Sequence, residues 1–171
     1  MGTLRHFETT LGTGELVSSR AGVEICKWPD SSFGEGFVLA TVGMAEKPLA
    51  RRIELLMLCA RHDVEALAQV LLDLADYSES AKPSLHWFHV LPIGRAVVPD
   101  SALVHLLLTF PPYDSEFVTF ENGGHRIDVL WVIPISEGER AIFDSKGVDA
   151  LQNRLEERNV DVSDLFRSSV A

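Results

Sequence analysis

An α+β fold, a mixed and largely antiparallel β-sheet flanked by helices, is what this sequence predicts, and three observations predict it. Gly36 to Val42 (GFVLATV) and Ile53 to Cys59 (IELLMLC) are apolar at consecutive positions, so both faces of these strands must be covered. Too few helical stretches separate the strand-like segments for a doubly wound parallel sheet. Several connections are hairpin-short, which suits antiparallel neighbours.

The elements follow in chain order. Val23 to Trp28 alternates as a short strand and ends at a Pro29-Asp30-Ser31-Ser32 turn. The two apolar strands are joined by GMAEKPLARR, whose Gly, Pro and basic pair belong on the surface. Asp63 to Tyr77 is the clearest helix: Asp63 is its expected N-cap, Val64, Leu67, Leu71 and Leu74 keep helical spacing, and neither Gly nor Pro interrupts. Leu85 to Leu91 (LHWFHVL) and Ala102 to Phe110 (ALVHLLLTF) read as strands, the second ended by Pro111-Pro112. After Glu116 to Phe120, an Asn122-Gly123-Gly124 turn leads into the strand Ile127 to Ile135. Ser136 with Glu139 three residues on is a capping box, and Glu137 and Glu139 suit the positive end of the helix they open. Gly147 breaks the path. Val148, Leu151 and Leu155 then mark a second amphipathic helix, which Asn159 terminates.

With 171 residues, the chain is expected to form one domain over 1–171. Its 46% hydrophobic and 23% charged content is that of an ordinary globular protein. A formal net charge of −10 repels phosphate, which argues against nucleic acid and anionic membrane as partners and is compatible with a basic protein. MGTLRHFETTLG carries no secretory apolar core, and no run approaches the roughly 20 apolar residues of a membrane span, so a cytoplasmic location is expected. Cys26 and Cys59 lack metal or redox spacing and read as buried, reduced thiols.

The chemistry-bearing residues form no recognisable catalytic set. His86 and His89, three apart in an expected strand, should point to opposite faces and share no metal. His105 lies inside an apolar run and reads as a core histidine, while His62 adjoins Asp63 at a helix start. HExxH, EF-hand, GxSxG and phosphate-loop patterns are all missing, so no metal, cofactor or enzymatic activity is expected. Trp87 and Trp131 are expected in the core, whereas Trp28, beside Pro29, reads either as core or as an exposed binding anchor.

The one unusual surface feature lies on the Asp63–Tyr77 helix. At about 100° per residue, Glu65, Asp73 and Asp76 fall together opposite the apolar stripe, with Gln69 between them. Between Asp63 and Ala81 there are five acidic residues and no basic one. Either this face keeps the protein soluble, or it meets a partner; the candidate partner-binding residues are Glu65, Asp73 and Asp76.

Three ordered blocks resemble the suppressor of fused family. The first is FVLATVGMAEKPLARRIELLMLC, with Thr41, Gly43, Met44, Glu54 and Leu55 at the family's strand, Thr-x-Gly-Met turn and Glu-Leu strand. The second is PDSALVHLLLTFPPY. In the third, Pro134, Ile135, Glu139, Gly147, Leu151, Asp164 and Arg167 match a "PI..E......G...L" run and a closing "D..R". The resemblance implies an α/β domain on a mixed sheet that acts by binding protein without catalysis. It further points to single-domain bacterial members proposed as immunity proteins against polymorphic toxins; with the acidic balance of the chain, a basic toxin domain is the partner expected. A regulatory module for an endogenous protein is the alternative, and an uncharacterised hydrolase a more distant one.

Overall fold

The computed structural model describes residues 2–30, 36–60 and 63–171. Helix α1 (Thr3–Leu11) precedes strands β1 (Glu15–Arg20), β2 (Val23–Asp30) and β3 (Gly36–Val42), and a 3-10 turn (Met44–Glu46) leads into β4 (Ile53–Cys59). Helix α2 (Val64–Ser78) is followed by β5 (His89–Pro92), β6 (Leu103–Thr109), the one-turn α3 (Ser115–Val118), β7 (Thr119–Asn122) and β8 (His125–Ser136). Helices α4 (Glu137–Lys146) and α5 (Val148–Glu157) follow. The eight strands form one sheet in the order β1-β2-β3-β4-β8-β6-β5, with β7 on β8. Only β4 and β8 pair in parallel; the other pairs are antiparallel. The α+β class with a mixed, largely antiparallel sheet is therefore as expected.

The runs that are apolar at every position are covered on both sides. Along β4, Leu55 and Met57 face the α2 layer with Leu67 and Leu71, while Leu56 and Leu58 face a second layer with Phe7, Trp28 and Phe117. Farther along β8 that second layer continues as Ile133 and Ile135 against Leu151 and Leu155 of α5. Every residue of β4 is buried. Trp28 belongs to this core: its side chain is fully buried and Nε1–H donates to the Gly12 carbonyl at 3.0 Å, which rules out an exposed anchor there. Trp87 and Trp131 are only half-buried.

Several expectations need correction. The strand read from Leu85 begins at His89, because Trp87 and Phe88 turn, with Phe88 at φ 66°. Its N–H still reaches the Leu108 carbonyl at 2.6 Å, so the turn is anchored to β6. Asp63 stands at the N-cap of α2 but at φ −112°, ψ 5°, outside the extended region, and its side chain makes no cap bond. Glu116 begins in α3, capped by Asp114, and only Thr119 onward is strand. Helix α1 and strand β1 carry too few buried apolar positions to be read from periodicity: α1 buries Thr3, His6 and Phe7 alone. His62 and Ser31–Ser32 lie outside the described residues.

Two buried carboxylates organise the connections. Near the start of β4, Glu54 is fully buried and accepts from Thr41 Oγ1 at 2.6 Å and from the N–H groups of Gly43, Met44 and Ala45 at 3.1, 3.3 and 3.2 Å. Gly43 sits at φ 96° with a hypothetical Cβ 2.8 Å from the Gly22 carbonyl oxygen, so only glycine fits this turn. At the start of α4 the capping box forms as expected, with Ser136 Oγ accepting from Glu139 N at 3.2 Å and Glu139 Oε2 from Ser136 N at 2.9 Å. Glu139 does more than cap. It accepts both terminal guanidinium nitrogens of Arg167, at 2.5 and 2.9 Å, and the Val170 N–H at 3.1 Å. Burial raises its pKa, but the bonds from Arg167 and Ser136 outweigh that and hold the carboxyl below its ordinary value. Asp164 accepts from Phe166 N at 2.9 Å and shapes the turn that delivers Arg167.

Candidate functional site

The helical wheel of α2 holds. Leu67, Leu71 and Leu74 are buried, while Glu65, Gln69, Asp73 and Asp76 are exposed. Their environments divide, however. Asp73 and Asp76 share Arg20, whose Nη1 donates to their carboxylates at 3.0 and 2.8 Å. Arg95 stands 3.6 Å from Asp73, Lys47 stands 3.9 Å from Asp76, and Lys47 also pairs with Glu79. The acidic imbalance within the helix is thus offset by cations from β1, from the loop before β4 and from the loop after β5. Nothing in the local sequence signals this, because Arg20 and Asp73 are 53 residues apart. Glu65 stands apart, about 12 Å along the axis from Asp73 at 1.5 Å per residue. It borders a separate depression with Leu16, Phe37 and Lys27.

Beside Asp73 the surface opens into a groove of about 330 Å³ between α2 and the end of β5. Val70, Leu74 and Tyr77 form one wall, Leu91 and Ile93 the other, and Asp73 and Arg95 stand at the rim. Tyr77 is among the exposed large hydrophobic residues. Strand β5 is the last of its sheet, so among the described residues its outer edge carries no paired strand. An apolar floor, a charged rim and an open strand edge are features of protein recognition.

The other polar constellations are separate from this groove. The buried imidazole of His105 places Nε2 2.5 Å from Glu137 Oε2. That hydrogen bond, foremost, lowers the pKa of the exposed Glu137, so Glu137 has a role beyond the helix dipole. His6 packs against Phe120, ring centroids 3.7 Å apart, and burial lowers its pKa. Cys26 and Cys59 are buried and free, as expected, and burial pushes their thiols up to about 11 and about 12. Among the described residues no group of three or more His, Cys, Asp and Glu side chains is arranged to hold a metal, and no helix is long and apolar enough to cross a membrane.

Comparison with known proteins agrees with the fold. A stretch of 75 residues is 33% identical to the immunity protein YqcF of Bacillus subtilis (strain 168), covering 42% of this chain and only 38% of that protein. A suppressor of fused homologue from Neisseria gonorrhoeae superposes with a TM-score of 0.78 at 18% identity, over 98% of this chain and 94% of that one. A chain in the crystal structure of the Sufu–Fu complex superposes with a TM-score of 0.72 at 13% identity, over 98% and 90%. The suppressor of fused protein (SUFU) family model matches residues 20–168, nearly the whole sheet and the helices packed on it, and the chain belongs to that family.

Proposed function

We propose that this chain is a non-catalytic protein-binding module that works in the cytoplasm as an immunity protein, neutralising a toxin domain by covering it. The observation that carries the reading is the groove between α2 and β5, with its apolar walls, its rim of Asp73 and Arg95 and the open strand edge beside it. The partially aligned immunity protein and the complex formed by a Sufu chain support the same class of function. A net charge of −10 favours a basic partner. Glu65, Asp73 and Asp76 are the acids to meet it. Because Arg20 holds Asp73 and Asp76, a partner's cation there must share or displace that guanidinium, whereas Glu65 makes no ion pair among the described residues.

The test pairs the protein with candidate toxin domains drawn from its genomic neighbourhood. Co-expression should restore growth, and calorimetry should give a complex whose affinity falls with salt. Lys at Glu65, Asp73 and Asp76 should weaken binding and flatten the salt dependence. A fully protective triple variant of unchanged affinity would remove the acidic face from the interface. Failure of the wild type to protect or to bind would instead favour a regulatory module with an endogenous partner.

A further inference from the structure

The strand expected from Leu85 would have held His86 and His89 apart; the turn at Trp87 and Phe88 brings them together. Their ring centroids lie 3.5 Å apart at an interplanar angle of 45°, and both side chains are half-buried, open to solvent on one side. His86 Nδ1 lies 2.5 Å from the Trp87 carbonyl oxygen. A carbonyl only accepts, so Nδ1 carries a hydrogen and Nε2 is the nitrogen left for a ligand. A backbone carbonyl on one ring nitrogen is the anchor found behind metal-ligating histidines. The ring of His89 makes no hydrogen bond among the described residues.

We propose that His86 and His89 form a surface site for one divalent transition-metal ion of the copper, nickel or zinc class. Imidazole nitrogens bind such ions at about 2.0–2.1 Å. At that bond length two rings on one ion stand roughly 4.5–5 Å apart at their centroids, from a square to a tetrahedral angle. The rings must splay by about 1–1.5 Å to admit the ion, a small torsional change for half-exposed side chains. Imidazole pairs suit copper, nickel and zinc, and copper binds most tightly of the three. With two protein ligands the other positions fall to water, so the ion exchanges readily. Arg51 lies near enough to His89 to repel a bound cation, which further limits affinity.

The experiment is titration of the untagged full chain with Cu²⁺, Ni²⁺ and Zn²⁺ salts, each alone, by calorimetry and by tryptophan fluorescence. Trp87 lies between the two ligands in sequence, so Cu²⁺ and Ni²⁺ should quench emission as they bind, while Zn²⁺ should bind without quenching. One ion per chain is expected, with affinity in the order Cu²⁺ above Ni²⁺ and Zn²⁺. His86→Gln and His89→Gln should each lower affinity by about tenfold or more and remove the quench. His125→Gln, an exposed hairpin histidine, should change neither. Circular dichroism and thermal melting confirm that the variants fold; if a glutamine variant does not, His89→Asn takes its place. No ion bound, or binding that survives both substitutions or is lost with His125, overturns the proposal.

Discussion

Glu54→Gln tests the electrostatics of the turn that joins β3 to β4. Burial, working against donation from Thr41 and three backbone N–H groups, pushes the Glu54 carboxyl up from 4.5 to about 7. The folded state therefore holds the proton more tightly than the unfolded chain. The resulting stabilisation is complete below pH 4.5 and is lost as pH rises through about 7. A rise from 4.5 to about 7 corresponds to about 3 kcal/mol. Glutamine keeps one acceptor for Gly43 and Ala45 and turns its amide toward Thr41, whose hydroxyl then swings toward the Met44 sulfur 4.0 Å away. The Met44 N–H loses its acceptor, which costs roughly 1–3 kcal/mol at acid pH. The variant should therefore be the weaker protein near pH 4.5 and should draw level with, or pass, the wild type by pH 8. Urea unfolding of both proteins across that range reads the difference, in which all other titrating groups cancel. A gap that stays constant with pH refutes the reasoning. It would mean that the four donors compensate burial fully and that Glu54 titrates like an exposed carboxyl.

Other consequences are equally direct. Arg167→Ala leaves Glu139 buried without its cation and should cost about 3–5 kcal/mol in urea unfolding; a loss below 1 kcal/mol would show that the closing segment is not held by this pair. Asp73→Asn removes only part-exposed ion pairs to Arg20 and Arg95 and should change stability by less than about 1 kcal/mol, so any larger fall in partner affinity is an interface effect. With thiol pKa values of about 11 and about 12, Cys26 and Cys59 should resist a thiol-specific disulfide reagent at pH 8 in the native protein and react once urea unfolds it.

What the sequence discloses and what it conceals follow from the range of the forces involved. The strands β3 and β4, the body of α2 and the Ser136–Glu139 capping box are legible, because each is a matter of local periodicity or a bond three residues long. The start of β5 is not: LHWFHVL has the composition of a strand, and its turn at Phe88 is imposed by docking on β6. The same event makes neighbours of His86 and His89, which strict alternation would separate. On α2 the wheel correctly exposes Glu65, Asp73 and Asp76. Their charge balance stays hidden because Arg20 arrives from a strand with little hydrophobic pattern and Arg95 from a loop. The Asp164 and Arg167 positions are visible as a motif, but the partner of Arg167, Glu139, emerges only when the chain folds back.

The parallel pairing of β4 with β8 has a consequence for the protein as it is made. Residues 53–56 meet residues 128–131, so the centre of the sheet joins segments more than seventy positions apart. On the ribosome, at about 5–20 residues per second, β1 to β4 and α2 emerge several seconds before β8. During that interval β4, apolar on both faces, presents an open edge to every other nascent chain nearby. Closing so long a loop costs more entropy than forming the hairpins on either side, so this pairing is expected to lag behind them. Once β8 arrives, one strand of twelve residues pairs with β4, β6 and β7 together. The last long strand to be synthesised is the one that turns two sticky halves into one sheet.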